Sequence, residues 1–275
     1  DYDNDIILWS ETGQGAYTPR TVPVRLTNRH GYRVEITATS GTGLQTWKQV
    51  TFYTDFKPPP TPTLQARFVE EAGTVALDAT VPTAQGGTPA AVRLRVESSY
   101  DDGQSWTLVA DVYNNPRLVA DDPFPPLGAT ASYRAVAESE LPSEAASEIV
   151  TVGTRTCRVW IAAKGGSPRA WCEDNLKIDA KYGAEKVLET YEGRNKPMVH
   201  LGAARPVEIS LDGDLFPDGG SPISEWLALL DQGVWFRSPR GHRIFGTLTG
   251  EIRSSDVAGS PATAISLTVT ETEAD

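Results

Sequence analysis

The sequence has little of several residue types on which particular classes of protein depend. Its 275 residues include only two cysteines, three histidines and one methionine. Two cysteines exclude the disulfide-dense scaffold of a small secreted domain. No apolar run approaches the roughly 20 residues of a transmembrane helix, so we expect no membrane insertion. No signal peptide is visible and the first residue is Asp1, so we expect a fragment, a processed chain or the ordered part of something longer.

Motifs for catalysis and metal binding are also missing. The sequence contains no G-x-S-x-G, P-loop or H-E-x-x-H motif. The histidines, His30, His200 and His242, lie outside metal-ligand spacing of one another and of a cysteine pair. The acidic stretch DGDLFPDGG lacks the spacing and the bidentate Glu of an EF-hand, which favours a solvated turn over a calcium site. We therefore predict that the chain is not an enzyme and holds no metal or cofactor.

Positive charge is scarce. Lys and Arg number 25 against 36 Asp and Glu, which gives a net charge of −11. Such a chain repels polyanions, so we predict no nucleic-acid partner.

What the chain has in abundance points to β-structure. Gly (24) and Pro (20) are plentiful, and short runs rich in Val, Thr, Ile and Tyr lie between turn residues. This pattern is typical of an all-β fold, and the length suggests about two domains.

Two stretches of the chain align with each other. One begins at Leu26 and the other at Leu127, and each has a Leu six residues before a Tyr that is followed by Arg and an alternating strand. Tyr32 and Tyr133 are 101 residues apart, a period that fits one β-sandwich. We expect each Tyr to hydrogen-bond back to the preceding turn. The alternative is two unrelated core tyrosines.

Residues 57–153 contain the signals of one complete sandwich. The segment KPPPTPTLQARF at 57–68 opens it, and an alternating hairpin turns at Asp102-Gly103. The Pro-rich entry, YDDGQSW, LGATASY and SEAASEIVTV together resemble fibronectin type III domains, which serve as spacers, adhesins and receptor binders alike. When the 101-residue period between Tyr32 and Tyr133 is applied to the front of the chain, residues 1–56 align with the C-terminal half of such a sandwich. We expect residues before Asp1, or a partner chain, to complete it.

Residues 154–275 follow a different pattern. A hairpin in the Gly165-Gly166 region, if its turn is centred between Lys164 and Gly165, places Cys157 opposite Cys172. This predicts a cross-strand disulfide, and the alternative is two small buried hydrophobes. The segment GGSPISEWLALLDQG predicts a helix with Ser221 as N-cap and Gly233 as its end. Its apolar residues recur at helical spacing and predict one buried stripe, formed by Ile223, Trp226, Leu227 and Leu230.

This C-terminal region resembles minor tail proteins of long-tailed actinobacterial phages and the split-barrel domain of the distal tail protein family. The resemblance rests on a Gly-Arg…Pro segment and on a hairpin of the form aromatic-x-Arg-x-Pro-x-Gly-x-Arg. The matching positions are Gly193, Arg194, Pro197, Trp235, Arg237, Pro239, Gly241 and Arg243. It implies a β-barrel-like domain with one packed helix, and assembly at the tail end rather than catalysis.

The function expected from this resemblance is structural. The chain would be a virion protein of the tail tip, assembled in the host cytoplasm as a homo-oligomer with other phage tail proteins. In GVWFRSPRGHRIFG (233–246) one side of the hairpin should close the barrel, and a cluster of four side chains should form the assembly interface: Arg237, Arg240, His242 and Arg243. The alternative function is recognition of a host-surface glycan or receptor through exposed aromatic side chains, with candidates Trp9, Trp47, Tyr53 and Tyr100.

Overall fold

A computed structural model describes residues 7, 8, 10, 24, 26–173, 176–183, 186–189, 198–201, 207–216, 219–254 and 263–273. Within them the chain forms nineteen strands and one short helix, so the predicted all-β class is confirmed. Every strand pairing is antiparallel. The Gly-Arg…Pro positions Gly193, Arg194 and Pro197 lie outside the described residues.

The first element is a two-stranded hairpin, here called the front hairpin. Its strands are β1 (Gly31–Thr39) and β2 (Gln45–Tyr53). Because side chains alternate across a strand, one face of the pair is mainly apolar, with Lys48 opposite Ile36 and Thr46 opposite Ala38, and the other face is mixed. The apolar face carries Tyr32, Val34, Ile36, Val50 and Phe52.

The next eight strands form two sheets around one core, here called the sandwich. They are β3 (Thr63–Val69), β4 (Thr74–Thr80), β5 (Ala91–Ser99), β6 (Thr107–Tyr113), β7 (Arg117–Asp122), β8 (Thr130–Ser139), β9 (Glu144–Ala146) and β10 (Val150–Gly153). One sheet has the order β10-β8-β5-β6 with β9 beside β8, and the other has the order β3-β4-β7. A single core joins side chains from both sheets, including Leu77, Leu94 and Tyr133. The predicted hairpin is confirmed as β5–β6, with positive φ at Asp102 and Gly103.

The remaining strands belong to residues 154–275, here called the barrel domain after the architecture that the sequence predicts. They are β11 (Arg158–Ala163), β12 (Arg169–Glu173), β13 (Lys177–Tyr182), β14 (Lys186–Glu189), β15 (Met198–Leu201), β16 (Val207–Leu215), β17 (Gly233–Arg237), β18 (Arg243–Ser254) and β19 (Thr263–Glu271). Seven of them make one sheet in the order β12-β11-β17-β18-β19-β16-β13, while β14 and β15 pair only with each other within the described residues. One face of the large sheet contributes to a single core that includes Cys172 from β12 and Ile178 from β13. The end strands β12 and β13 do not pair with each other within the described residues, so closure of this sheet into a barrel stays a prediction.

The predicted helix is shorter than the sequence suggested. Helix α1 covers only Ile223–Leu227, and its N-cap position is Pro222 with no side-chain cap. The Ser221 hydroxyl instead accepts a hydrogen bond from the Trp171 N–H of β12. The prediction that Gly233 ends the helix was wrong, because Gly233 is the first residue of β17.

The predicted apolar stripe was also wrong in part. Trp226 and Leu229 are fully buried, whereas Ile223 and Leu227 are exposed. The chain leaves helical geometry after Leu227, so the 3.6-residue spacing no longer decides which side chains face the core.

The predicted disulfide does not form. Both cysteines are free: Cys157 is exposed and Cys172 is buried in the barrel core. Cys172 stands opposite Val159, not Cys157, because the strand pairing is centred between Gly165 and Gly166, one residue beyond the centre between Lys164 and Gly165 that would place the two cysteines opposite each other. Cys172 therefore matches the alternative of a small buried hydrophobe.

The repeat is visible in the hydrogen bonds. The Tyr32 hydroxyl accepts a bond from the Thr27 N–H at 2.5 Å, as expected for a tyrosine that holds the preceding turn. The Tyr133 hydroxyl instead donates to the Asp122 carboxylate at 2.7 Å, at the end of β7. The two tyrosines are both buried but have different partners.

Both copies of the repeat have a threonine directly after their last strand, and its hydroxyl bonds to carbonyls of an earlier loop. The Thr54 hydroxyl donates to the carbonyls of Thr27 (2.6 Å) and His30 (3.1 Å). The Thr154 hydroxyl donates to the carbonyls of Pro126 (2.5 Å) and Ala129 (3.0 Å). We call these two arrangements the threonine latches.

The latches correct the alignment of the repeat. The Thr54 N–H donates to the His30 carbonyl, and the Thr154 N–H donates to the Ala129 carbonyl, both at 3.0 Å. His30 therefore corresponds to Ala129. Tyr32 corresponds to Ala131, two residues before the Tyr133 that sequence spacing selected.

Candidate functional site

The turn between strands β17 and β18 has the geometry that the sequence predicts. Strands β17 and β18 pair with Arg237 opposite Arg243. The Gly241 N–H donates to the Ser238 carbonyl at 3.1 Å, which closes a β-turn with Pro239 at its second position. Gly241 has φ +88°, a left-handed conformation that favours glycine.

The two faces of this hairpin have different environments. Val234 and Phe236 are fully buried in the core of this domain, which confirms that one side of the hairpin faces the core. Trp235 and Arg237 point to the other side, where the sandwich lies against them. That side is therefore occupied by the same chain.

Four arginines of the barrel domain donate to backbone carbonyls of two sandwich loops, residues 70–73 and 123–126. We call this contact region the junction. In the first loop, Arg158 bonds to Glu70 O and Arg169 to Ala72 O. Arg237 bonds to Gly73 O at 2.6 Å and also reaches the second loop at Pro125 O. Arg243 bonds to Phe124 O at 2.8 Å.

The loop sequences explain why carbonyls are the acceptors. The second loop reads DDPFPPLG, and its prolines have no N–H and cannot join a sheet ladder. The first loop is a tight turn in which Gly73 has φ +65°. Loop carbonyls that enter a buried contact need donors, and guanidinium groups supply several in a fixed plane.

Arg237 is the centre of the junction. Its side chain is 1% exposed, and its guanidinium lies 5.7 Å from the centroid of the Phe124 ring. Burial lowers the pKa of Arg237 to about 10, while the negative charge of Asp122 acts in the opposite direction. Its Nε has no hydrogen-bond partner among the described residues.

Asp122 supplies the negative charge near Arg237. One of its carboxylate oxygens accepts bonds from the Tyr100 hydroxyl at 2.6 Å and the Tyr133 hydroxyl at 2.7 Å. The other accepts from the Phe124 N–H at 3.0 Å. Burial, and then the Asp122 charge, raises the pKa of both tyrosines well above the ordinary value of 10. The carboxylate therefore fixes the start of the second loop.

Aromatic rings fill the space beside the charges. Phe124 of the sandwich stacks on Trp235 of the barrel domain with ring centroids 5.4 Å apart. The Arg243 guanidinium lies 4.7 Å from the Tyr100 ring centroid and 4.5 Å from that of Trp235. One arginine thus makes cation–π contacts to a ring from each domain.

Two glycines of the sandwich allow the close approach. A Cβ on Gly73 would lie 2.7 Å from the Trp160 indole, and a Cβ on Gly128 would lie 2.1 Å from the Pro239 carbonyl oxygen. Gly128 also has φ +69°. Any side chain at either position would push the domains apart.

The predicted assembly interface must therefore be corrected. Arg237 is buried within the chain, and Arg243 is engaged with the sandwich, so neither is available to a neighbouring subunit. His242 is half-buried, and its Nδ1 lies 2.9 Å from the Ser238 hydroxyl. Arg240 is exposed at the turn, and its role in assembly stays a prediction. Sequence reasoning missed Asp122, Gly73 and Gly128, and the run of prolines after Asp122 was the available signal.

Other parts of the described structure offer little for chemistry. Beside the junction, a cleft of about 210 Å³ is lined by residues that include Trp160, Trp171 and Glu225. This volume is smaller than that of typical ligand pockets, roughly 300–1,000 Å³. In the described ranges, no three His, Cys, Asp or Glu side chains are grouped as a metal ion would require. A search of the same residues for a helix long and apolar enough to cross a membrane found none.

Comparisons with protein-family models, with curated proteins and with solved structures found no match to this chain.

Proposed function

We propose that the protein is a structural component of a phage tail tip, in which the barrel domain assembles around the tail axis and the sandwich modules act as spacers or host-facing arms. The sequence resemblance to minor tail proteins motivates the proposal, and the junction is the observation that supports it most. A spacer must hold its modules in a fixed relation, and the junction is built for that purpose.

The junction restricts relative motion because its hydrogen bonds are directional and those of Arg237 are buried. A hydrogen bond from a charged donor to a carbonyl contributes about 1.5–3 kcal/mol and depends on geometry. Arg237 bonds to both sandwich loops at once, so rotation of the barrel domain would break at least one bond. The bond between Thr156 Oγ1 and Glu70 Oε1 adds a further tie at the chain connection. The two domains should therefore behave as a single rigid body.

Assembly would use surfaces away from the junction. We propose a homo-oligomer, in the company of other tail proteins, with the exposed Arg240 at the hairpin tip as one contact to a neighbour. Formation would take place in the host cytoplasm, and the product would reside in the virion.

Composition of purified virions tests the proposal. We expect mass spectrometry to detect the chain in particles of the phage that encodes it, and immunogold labelling to place it at the tail tip. Its absence from virions, or labelling of capsids alone, would refute the proposal. At the protein level, Arg240→Glu should lower the oligomer size measured by light scattering without loss of folding. The matched charge reversal Arg67→Glu, on exposed strand β3 of the sandwich, should leave the size unchanged.

A second candidate function is recognition of a host-surface glycan. Trp47 and Tyr53 of β2 are 66% and 63% exposed and, being six residues apart on one strand, share a face. Aromatic rings beside polar groups are suited to the apolar face of a sugar. Tyr100 is removed as a candidate because its hydroxyl bonds to Asp122 at the junction. Trp9 lies outside the described residues.

A glycan array measured on the wild type and on Trp47→Ala tests this second function. Binding that is lost in Trp47→Ala but kept in Val119→Ala would support it, since Val119 is 67% exposed on the distant strand β7. An array without signals for the wild type would argue against it.

A further inference from the structure

The front hairpin carries the features that end the sandwich. Both segments close with a threonine latch, and in both the latch joins the residue after the last strand to the loop before the strand that pairs with it, β1 in the front hairpin and β8 in the sandwich. Strand β1 therefore corresponds to β8, and β2 corresponds to β10. The correspondence rests on the hydrogen bonds and the strand register, not on side-chain similarity.

The register then assigns each residue of the apolar face to a position in the sandwich core. Tyr32, Val34 and Ile36 correspond to Ala131, Tyr133 and Ala135. All three sandwich positions are fully buried. On the second strand, Val50 and Phe52 correspond to Val150 and Val152, which also pack on the sandwich core.

The same face of the front hairpin is uncovered beyond Tyr32, which is itself buried. Exposure is 41% at Val34, 65% at Ile36, 54% at Val50 and 40% at Phe52. A pair of strands with an exposed apolar face is marginal in water, because a stable sheet needs three or more strands or a covering layer. The face is thus built to be covered.

The sandwich indicates what covers it. Strand β8 has β5 on its other side, and the facing sheet β3-β4-β7 supplies Val75, Leu77 and Leu118 to the shared core. All of these strands precede β8 in the chain. The covering layer of the front hairpin should follow the same order.

We propose that the front hairpin is the end of a second sandwich, and that its apolar face is covered by β-strands of the same polypeptide that precede Leu26 in chain order. The covering strands would alternate apolar and polar residues, and one of them would lie antiparallel beside β1. A second copy of the chain and an unrelated partner are the competing occupants.

Thiol labelling of the complete gene product tests the proposal. In a Cys157→Ser background, which removes the exposed thiol, we compare Ile36→Cys on the apolar face with Thr37→Cys on the opposite face. We expect the thiol at position 36 to react at least about tenfold more slowly, since it becomes accessible only through local opening. Equal rates would overturn the proposal.

Two further measurements identify the occupant. Thiol labelling should still find position 36 protected in the complete gene product under conditions in which light scattering shows a monomer. Protection that disappears on dilution would mean that a second copy covers the face. Deleting all residues before Leu26 should abolish the protection, while leaving the fluorescence of the sandwich and barrel domain unchanged. Protection that survives this deletion would also overturn the proposal.

Discussion

Replacing Arg237 with methionine should destabilise the joined sandwich and barrel domain more than any exposed arginine substitution. Methionine keeps much of the volume but removes the charge and the bonds to Gly73 O and Pro125 O. The two carbonyls lose a donor inside the junction, and the buried Asp122 loses a nearby positive charge.

The expected loss of stability combines the hydrogen bonds that are lost with the burial cost that is recovered. Each bond from a charged donor contributes about 1.5–3 kcal/mol. The cost of burying a guanidinium whose Nε has no partner is recovered when it is removed, which offsets part of that sum. Removal of one member of a buried charge arrangement typically costs about 3–5 kcal/mol. We expect a loss of about 3 kcal/mol in the free energy of unfolding.

Equilibrium unfolding in urea, followed by tryptophan fluorescence, measures this loss. Trp160 and Trp235 lie at the junction, so their emission reports on its opening. The wild-type sandwich and barrel domain should unfold in one transition, and Arg237→Met should separate it into two. Arg240→Met, on the exposed turn of the same hairpin, should change the free energy by less than about 0.5 kcal/mol. A loss below about 1 kcal/mol in Arg237→Met, with a single transition, would refute the assigned role.

A double-mutant cycle separates the charge interaction from the bonds to carbonyls. Asp122→Asn removes the negative charge near Arg237, so the second substitution should cost less in the presence of the first. We expect a coupling of about 1 kcal/mol. Additive losses would show that Asp122 acts only through its tyrosines and the Phe124 N–H.

Three other outcomes follow from the structure. Gly73→Ala should destabilise the protein by at least about 2 kcal/mol more than Gly86→Ala in urea unfolding, because both have positive φ but only Gly73 is in close contact with another domain. Burial and a neighbouring carboxylate raise the pKa of Tyr133, so its contribution to stability is complete below about pH 10 and is lost at higher pH. Above that pH the wild-type free energy of unfolding should fall more steeply than that of Tyr133→Phe, by about 1.4 kcal/mol per pH unit, and parallel curves would contradict the assignment. A maleimide should label Cys157 in the native protein and Cys172 only after denaturation, whereas an intact mass lowered by one disulfide would contradict the free thiols.

The sequence predicted those features that depend on local pattern. The β5–β6 hairpin and the Ser238–Gly241 turn follow from turn chemistry, and both are confirmed. Alternation also separated Val234 and Phe236 from Trp235 and Arg237 correctly.

The features that were missed depend on contacts between distant segments. The prediction that the cysteines face each other failed because a strand pairing centred one residue farther along the chain changes every facing residue. The arginine cluster was read as a subunit contact because nothing local to residues 233–246 shows that the 70–73 and 123–126 loops lie against it. The Tyr32–Tyr133 match failed by two residues, since side-chain identity was followed where the backbone register, marked by Thr54 and Thr154, carries the repeat.

The barrel domain binds the sandwich mainly through the course of its backbone. Five of the bonds across the junction end on main-chain oxygens, which every amino acid possesses. Most loop side chains could therefore change in evolution without loss of the contact, provided that the loop shape and its glycines remain. The same barrel domain could consequently be joined to sandwiches of quite different sequence, which would make the junction an interchangeable coupling between modules.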